Sequence, residues 1–331
     1  MRSIPVKLKF SMALAGASAM ALALATGATA DDNYPAKPIK IMVGFSAGGG
    51  TDTSARGFAS YVHEAPSLNG MPAVIVNKPG GSGMIAAKVV AEGEKDGYTL
   101  YMINNGTFTV NHMKSGAKAP VDPLKDMQVL GCVTQLVTSL QVPADSPYGS
   151  AAEMVEDFKK SGKTLRWSTS GAGTMHAMVG HAFLNEVGIK HQVVPFKGGS
   201  KARNALAAKK VDASFNGVHL VAGFESKVKS LGVPLSERDE ANKKVPTLAE
   251  QGLPGVNVSG PMCLWGPKGM PEGVVAKLQD AVKHIAGIKG FKRFIKKNKL
   301  APMYMTAEQG TSNAEGLYKT LEPVVAKVFK K

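Results

Sequence analysis

Only two cysteines occur in 331 residues, which excludes a disulfide-rich scaffold and a cysteine-based zinc module. Acidic residues are also few, 25 against 40 Lys+Arg, so the chain carries a formal +15. Charged residues reach only 20% and no polar low-complexity tract is present, which argues against disorder. Past residue 30, no apolar run approaches the roughly 20 residues that a membrane-spanning helix needs. Catalytic signatures are missing too. His63, His112, His176, His181, His191, His219 and His284 form no H-E-x-x-H and have no carboxylate at ligand spacing, and no G-x-S-x-G elbow occurs. The run Gly171-Ala172-Gly173-Thr174-Met175-His176 opens like a dinucleotide fingerprint but puts histidine where a third small residue should pack. Gly162-Lys163-Thr164 ends like a phosphate-binding loop whose upstream glycine is here Asp157. These absences lead to the expectation of no catalytic residue, no metal and no cofactor.

The first thirty residues are present for export. Arg2, Lys7 and Lys9 precede a short apolar run, and Ala28-Thr29-Ala30 forms a small-x-small cleavage site, so residues 1–30 read as a signal peptide of bacterial type. The remainder keeps +12 and is expected in the periplasm, where small anions are better candidates than nucleic acid for its partner. Lys289, Lys292, Arg293, Lys296, Lys297 and Lys299 alternate with Ile288, Phe291, Phe294 and Ile295 at helical spacing, which predicts an amphipathic helix with a solvated basic face.

From residue 36 onward, strand-like runs alternate with helical patterns, the rhythm of an α/β fold. Strands are predicted at 39–45, 74–76 and 98–103, then at 166–168, 192–195 and 211–215, with helices at 53–63, 84–92, 151–160, 175–186 and 201–209. Extended apolar stretches at 129–142 and 256–265 separate these two units, and the tail reads as helical with a capping box at Thr306 and Gln309. Two crossings imply two lobes with a cleft between them: residues 31–134 and 264–331 in one, 135–263 in the other. Cys132 and Cys263 fall on the crossings. They could pair in an oxidising compartment, but the expectation is two small buried residues.

Loops that follow a strand and open a helix present free N–H groups and a positive dipole end. Gly48, Gly49 and Gly50, then Gly171 and Gly173, then Gly198 and Gly199 would let backbone approach an anion from both lobes. His176 could donate to a ligand or pack in the core, and Lys197 could neutralise an anion or face water.

Tyr34-Pro35-Ala36-Lys37-Pro38-Ile39, Phe45-x-x-Gly48-Gly49-x-x-Asp52, Asn77-Lys78-Pro79-Gly80, Asp96-Gly97-Tyr98-Thr99-Leu100, Asp122-Pro123-Leu124-Lys125-Asp126, Pro195-Phe196-Lys197-Gly198-Gly199, and Val245 to Gly255 occur in an order that resembles the Bug-type, TctC-like periplasmic receptors of tripartite tricarboxylate transporters. The resemblance implies a Venus-flytrap fold that closes on a small carboxylate, a di- or tricarboxylate or an aromatic acid, and delivers it as a monomer to membrane transporter subunits. It places ligand contacts on Phe45, Ser46, Ala47, Gly48, Gly49, Gly50, Thr51 and Asp52, on Asn105 and Thr107, on Thr169, Ser170, Gly171, Ala172, Gly173 and Thr174, and on Lys197, Gly198 and Asn216. Asn216 stands where an acidic residue is frequent in the family, which points away from amino-acid ligands and toward a plain carboxylate. A sensor subunit feeding a membrane kinase, and an α/β enzyme acting on an anion, are the competing expectations.

Overall fold

Buried strands bounded by glycine-containing loops are what position the site. The computed structural model describes residues 33–329, so the expected leader at 1–30 lies outside the described residues. Within the compact unit that begins at Pro35, the chain runs β1 (Ile39–Val43), α1 (Gly50–Ala59), β2 (Ala73–Asn77), α2 (Met84–Ala91), β3 (Thr99–Asn104), α3 (Asn105–Ser115), the short α4 (Pro123–Asp126) and β4 (Met127–Leu136). It continues through β5 (Thr138–Pro143), α5 (Ala151–Ser161), β6 (Leu165–Thr169), α6 (Met175–Glu186), β7 (His191–Pro195), α7 (Gly199–Ala207), β8 (Ala213–Gly217) and β9 (Val228–Gly232). It returns by β10 (Gly260–Pro267), α8 (Glu272–Gly287), α9 (Lys289–Lys297), β11 (Ala301–Met305) and α10 (Ala307–Phe329).

Two sheets result, ordered β11-β4-β10-β3-β1-β2 and β7-β6-β8-β5-β9. In the first, β1 is parallel to both β2 and β3; in the second, β6 is parallel to both β7 and β8. Each of these triplets reverses direction of travel at its central strand, which opens a crevice at the carboxyl ends of the strands. Antiparallel strands complete both sheets. β3 is buried beyond its first residue, as befits a parallel strand covered on both faces. The apolar stretch at 129–142 is not one strand: β4 stops at Leu136 and β5 starts at Thr138, so Val137 alone links the sheets on the first crossing. The second crossing runs from the end of β9 to the start of β10. The architecture is the expected two-lobed α/β binding-protein fold.

Local signals translate directly. α6 has the predicted bounds, with Thr174 as its cap: its hydroxyl accepts from Ala177 N–H at 3.2 Å. The capping box ahead of α10 is reciprocal, Gln309 N–H donating to Thr306 Oγ1 and Thr306 N–H to Gln309 Oε1. α9 buries Phe291 and Ile295 and exposes all five of its cations, which make no ion pair among the described residues.

Two features differ from expectation. The helical tail is interrupted by β11, which pairs antiparallel with β4; with Pro302 in it, such a strand is tolerated at a sheet edge, where a missing N–H costs no ladder bond. Cys132 and Cys263 are not two separate buried thiols but a disulfide, because β4 and β10 run antiparallel with these two residues in register. The C-terminal helix also reaches past the first sheet: Leu321 and Val325 pack in the core that holds Trp167, Phe183 and Val187 beneath the second.

Candidate functional site

The carboxyl ends of the two parallel triplets face each other, and the loops leaving them touch. Both the N–H and the Oγ of Ser46 donate to the carbonyl of Lys197, each at 2.9 Å. Ser200 Oγ donates to the Ala47 carbonyl at 2.7 Å, Gly173 N–H to Ser82 Oγ at 3.0 Å, and Met175 N–H to Thr107 Oγ1 at 3.3 Å. Lys114 Nζ donates to the Ala172 carbonyl at 2.9 Å. The lobes are closed on one another. Gly171 allows this approach, since a Cβ there would stand 2.7 Å from Ser82 Oγ on the opposite side.

The loops line a cavity of about 30 Å³, room for about two water-sized groups, so a ligand of several carbons needs the lobes farther apart than they stand here. Four helices begin at its wall: α1 through Gly50 and Thr51, α3 through its cap Asn104 and Thr107, α6 through His176, and α7 through Gly199. The first-turn N–H groups of a helix lack intrahelical partners, and each helix start carries roughly half a positive charge. No Asp, Glu, Lys or Arg side chain lines the cavity among the described residues. The positive ends in its wall are those of helix starts.

Of the residues expected at the site, Phe45, Gly49, Gly50, Thr51, Thr107, Ser170, His176 and Asn216 line the cavity. Gly48, Asp52, Gly171, Gly173, Thr174 and Gly198 belong to the loops or helix starts around it, and Thr169 ends β6. Ser46, Ala47, Ala172 and the backbone of Lys197 make the contacts between lobes, and the Lys197 side chain is exposed. Asn105 is turned away, its Nδ2 donating to the Gly310 carbonyl and to Asn313 Oδ1 at the start of α10. Asn216 braces α7, donating to the Gly199 carbonyl at 2.9 Å.

Asp52 looks in sequence like a ligand group, yet its buried carboxylate is fully engaged at home. It accepts from Gly48 N–H at 2.9 Å, Arg56 Nε at 3.0 Å and Asn77 Nδ2 at 2.9 Å, which shapes the loop before α1. Its role is to hold that loop. Asp52→Ala should leave the Gly48 and Asn77 donors unpaired and cost about 2–3 kcal/mol of stability, read as a lower midpoint in urea unfolding; an unchanged midpoint would contradict the assignment.

Gly199, marked in sequence as a place for close backbone approach, also lines the cavity, and four further lining residues carry no sequence signal for a ligand: Asn104, Leu136, Leu220 and His219. His219 follows β8 and lies against Gly50 of the opposite lobe, where a Cβ would come 2.6 Å from the ring. His176 is oriented by Thr138, whose Oγ1 lies 2.6 Å from its Nδ1. Burial pushes the His176 imidazole down to about 4. Burial first, then the neighbouring His176 and Arg203, push His219 down to about 3, so both rings are neutral near pH 7.

The tripartite tricarboxylate transporter family receptor model, TctC, matches residues 62–328. The UPF0065 protein in the gbd 5' region of Cupriavidus necator is 28% identical over 298 residues, covering 90% of this chain and 89% of that protein. The periplasmic binding protein BugD superposes with a TM-score of 0.82 at 25% identity, over 89% of this chain and 98% of that one. MatC from Rhodopseudomonas palustris, solved with bound malate, superposes with a TM-score of 0.81 at 26% identity, over 88% and 100% of the two chains. A two-lobed frame with helix starts gathered at the cleft, together with these matches, makes the chain a member of the tripartite tricarboxylate transporter receptor family, the Bug-type periplasmic solute-binding proteins.

Proposed function

We propose that this chain, freed of residues 1–30 on export, captures a small carboxylate between its lobes and hands it to the membrane subunits of a tripartite transporter, without chemical change to the ligand. The observation that carries the reading is the convergence of four helix starts on one cavity that holds no charged side chain. Such a wall attracts an anion through fixed N–H groups and needs no buried ion pair. A micromolar ligand requires about 8 kcal/mol, which a few charge-assisted hydrogen bonds of about 1.5–3 kcal/mol each supply after ordering costs. The ligand touches both lobes only when they are closed, so binding shifts the population toward the closed form. The malate held by MatC, a protein of the same frame, supports a small acid as the ligand here.

A thermal-shift screen of residues 31–331 against carboxylates, amino acids and sugars tests this. A carboxylate at a hundred times its Kd should add about 2.7 kcal/mol and raise the melting temperature by several degrees. Shifts from sugars alone would contradict the reading.

A further inference from the structure

His219 is 6% exposed, lines the interlobe cavity, and has no hydrogen-bond partner on either ring nitrogen. Buried polar atoms are nearly always paired, so two orphaned nitrogens on one side chain mark a place where structure is left incomplete for a reason. The fold makes room for this ring on both sides. A Cβ at Gly217 would fall 2.3 Å from its Cε1, and one at Gly50 within 2.7 Å of its Nε2. A leucine would fill the same space without orphaned atoms.

We infer that His219 contacts the ligand directly and that the cleft selects a small hydroxycarboxylate, with the carboxylate at the helix starts and the hydroxyl on the imidazole. The inference rests on the carboxylate-receptor reading and refines it. A neutral imidazole offers one donor and one acceptor, and a hydroxyl, which both donates and accepts, pairs with either nitrogen in either tautomer. An ammonium could also donate to the ring. It would sit, however, among four positive helix ends, near Arg203, with no carboxylate in the wall to offset it. A ligand with hydrogen at that carbon leaves the ring unpaired.

The test is calorimetric titration of residues 31–331 with acids matched in threes, bearing hydroxyl, hydrogen or ammonium on the same carbon: malate, succinate and aspartate; lactate, propionate and alanine. The hydroxy acid should bind about tenfold tighter than its deoxy partner, the worth of one added neutral hydrogen bond. His219→Leu should erase that ratio while leaving the melting temperature of the free protein unchanged or higher, and His219→Gln, which keeps a donor and an acceptor, should retain most of it. A ratio near one in the wild type, or a ratio that survives in His219→Leu, overturns the inference and leaves the receptor reading standing. A large fall in melting temperature for His219→Leu would assign the ring to the fold instead of the ligand and also overturns it. If no carboxylate binds the wild type, the receptor reading falls and this inference with it.

Discussion

Reducing the Cys132–Cys263 bridge, or replacing both residues with alanine, should destabilise the protein by about 4 kcal/mol and lower its melting temperature by roughly 6 °C. The two residues are separated by 131 positions, so the bridge closes a long loop and removes much of the freedom of the unfolded chain. It also joins β4 to β10, the strands by which the chain leaves and re-enters the first sheet, at a point where both cysteines are fully buried. Neither residue lines the cavity, so ligand affinity should stay within about threefold while stability falls. A melting temperature indifferent to reductant would show that the thiols are not paired.

Acid should weaken the free protein over a range where most carboxylates are still ionised. The unfolded chain protonates its histidines near 6.5, whereas the folded protein holds His176 down to about 4 and His219 to about 3. Between these values the unfolded state binds more protons than the folded one, so stability is full above pH 6.5 and declines as pH falls. Each ring withdraws about 1.4 kcal/mol per pH unit, and by pH 4.5 the pair together should have withdrawn about 5 kcal/mol. His219→Leu should halve that loss. Urea unfolding at pH 7 and pH 4.5 reads both; a flat profile would mean that the rings are hydrated rather than sealed between the lobes.

What was legible in the sequence is what depends on neighbours in the chain. The bounds of α6, the box formed by Thr306 and Gln309, and the amphipathic pattern of α9 are set within a few residues, so periodicity and capping chemistry suffice to find them. Strand-ending glycine loops likewise pointed to the cleft. What was hidden depends on residues that meet only after folding. Cys132 and Cys263 are opposite each other because two distant strands pair in one register. β11 exists because β4 offers it an edge. His219 gains its place from Gly50 in the other lobe, and no local pattern signals that; the hint available was its position just past the carboxyl end of β8, where open α/β sheets hold their ligands. Asp52 is a further case: its carboxylate is held by partners four residues to either side and on β2, and the last of these meets it only after folding.

The most direct measurement follows the backbone amides while a carboxylate identified by the thermal screen is titrated into isotope-labelled protein. Anion recognition by helix starts predicts that the amide resonances of Gly50, Thr51, His176 and Gly199 move together with the ligand and saturate at its Kd, because these first-turn residues line the cavity from both lobes. If the ligand saturates while these four stay in place and the shifts gather on the outer surface, the helix starts are not the anion site and the cleft is not where this receptor holds its ligand.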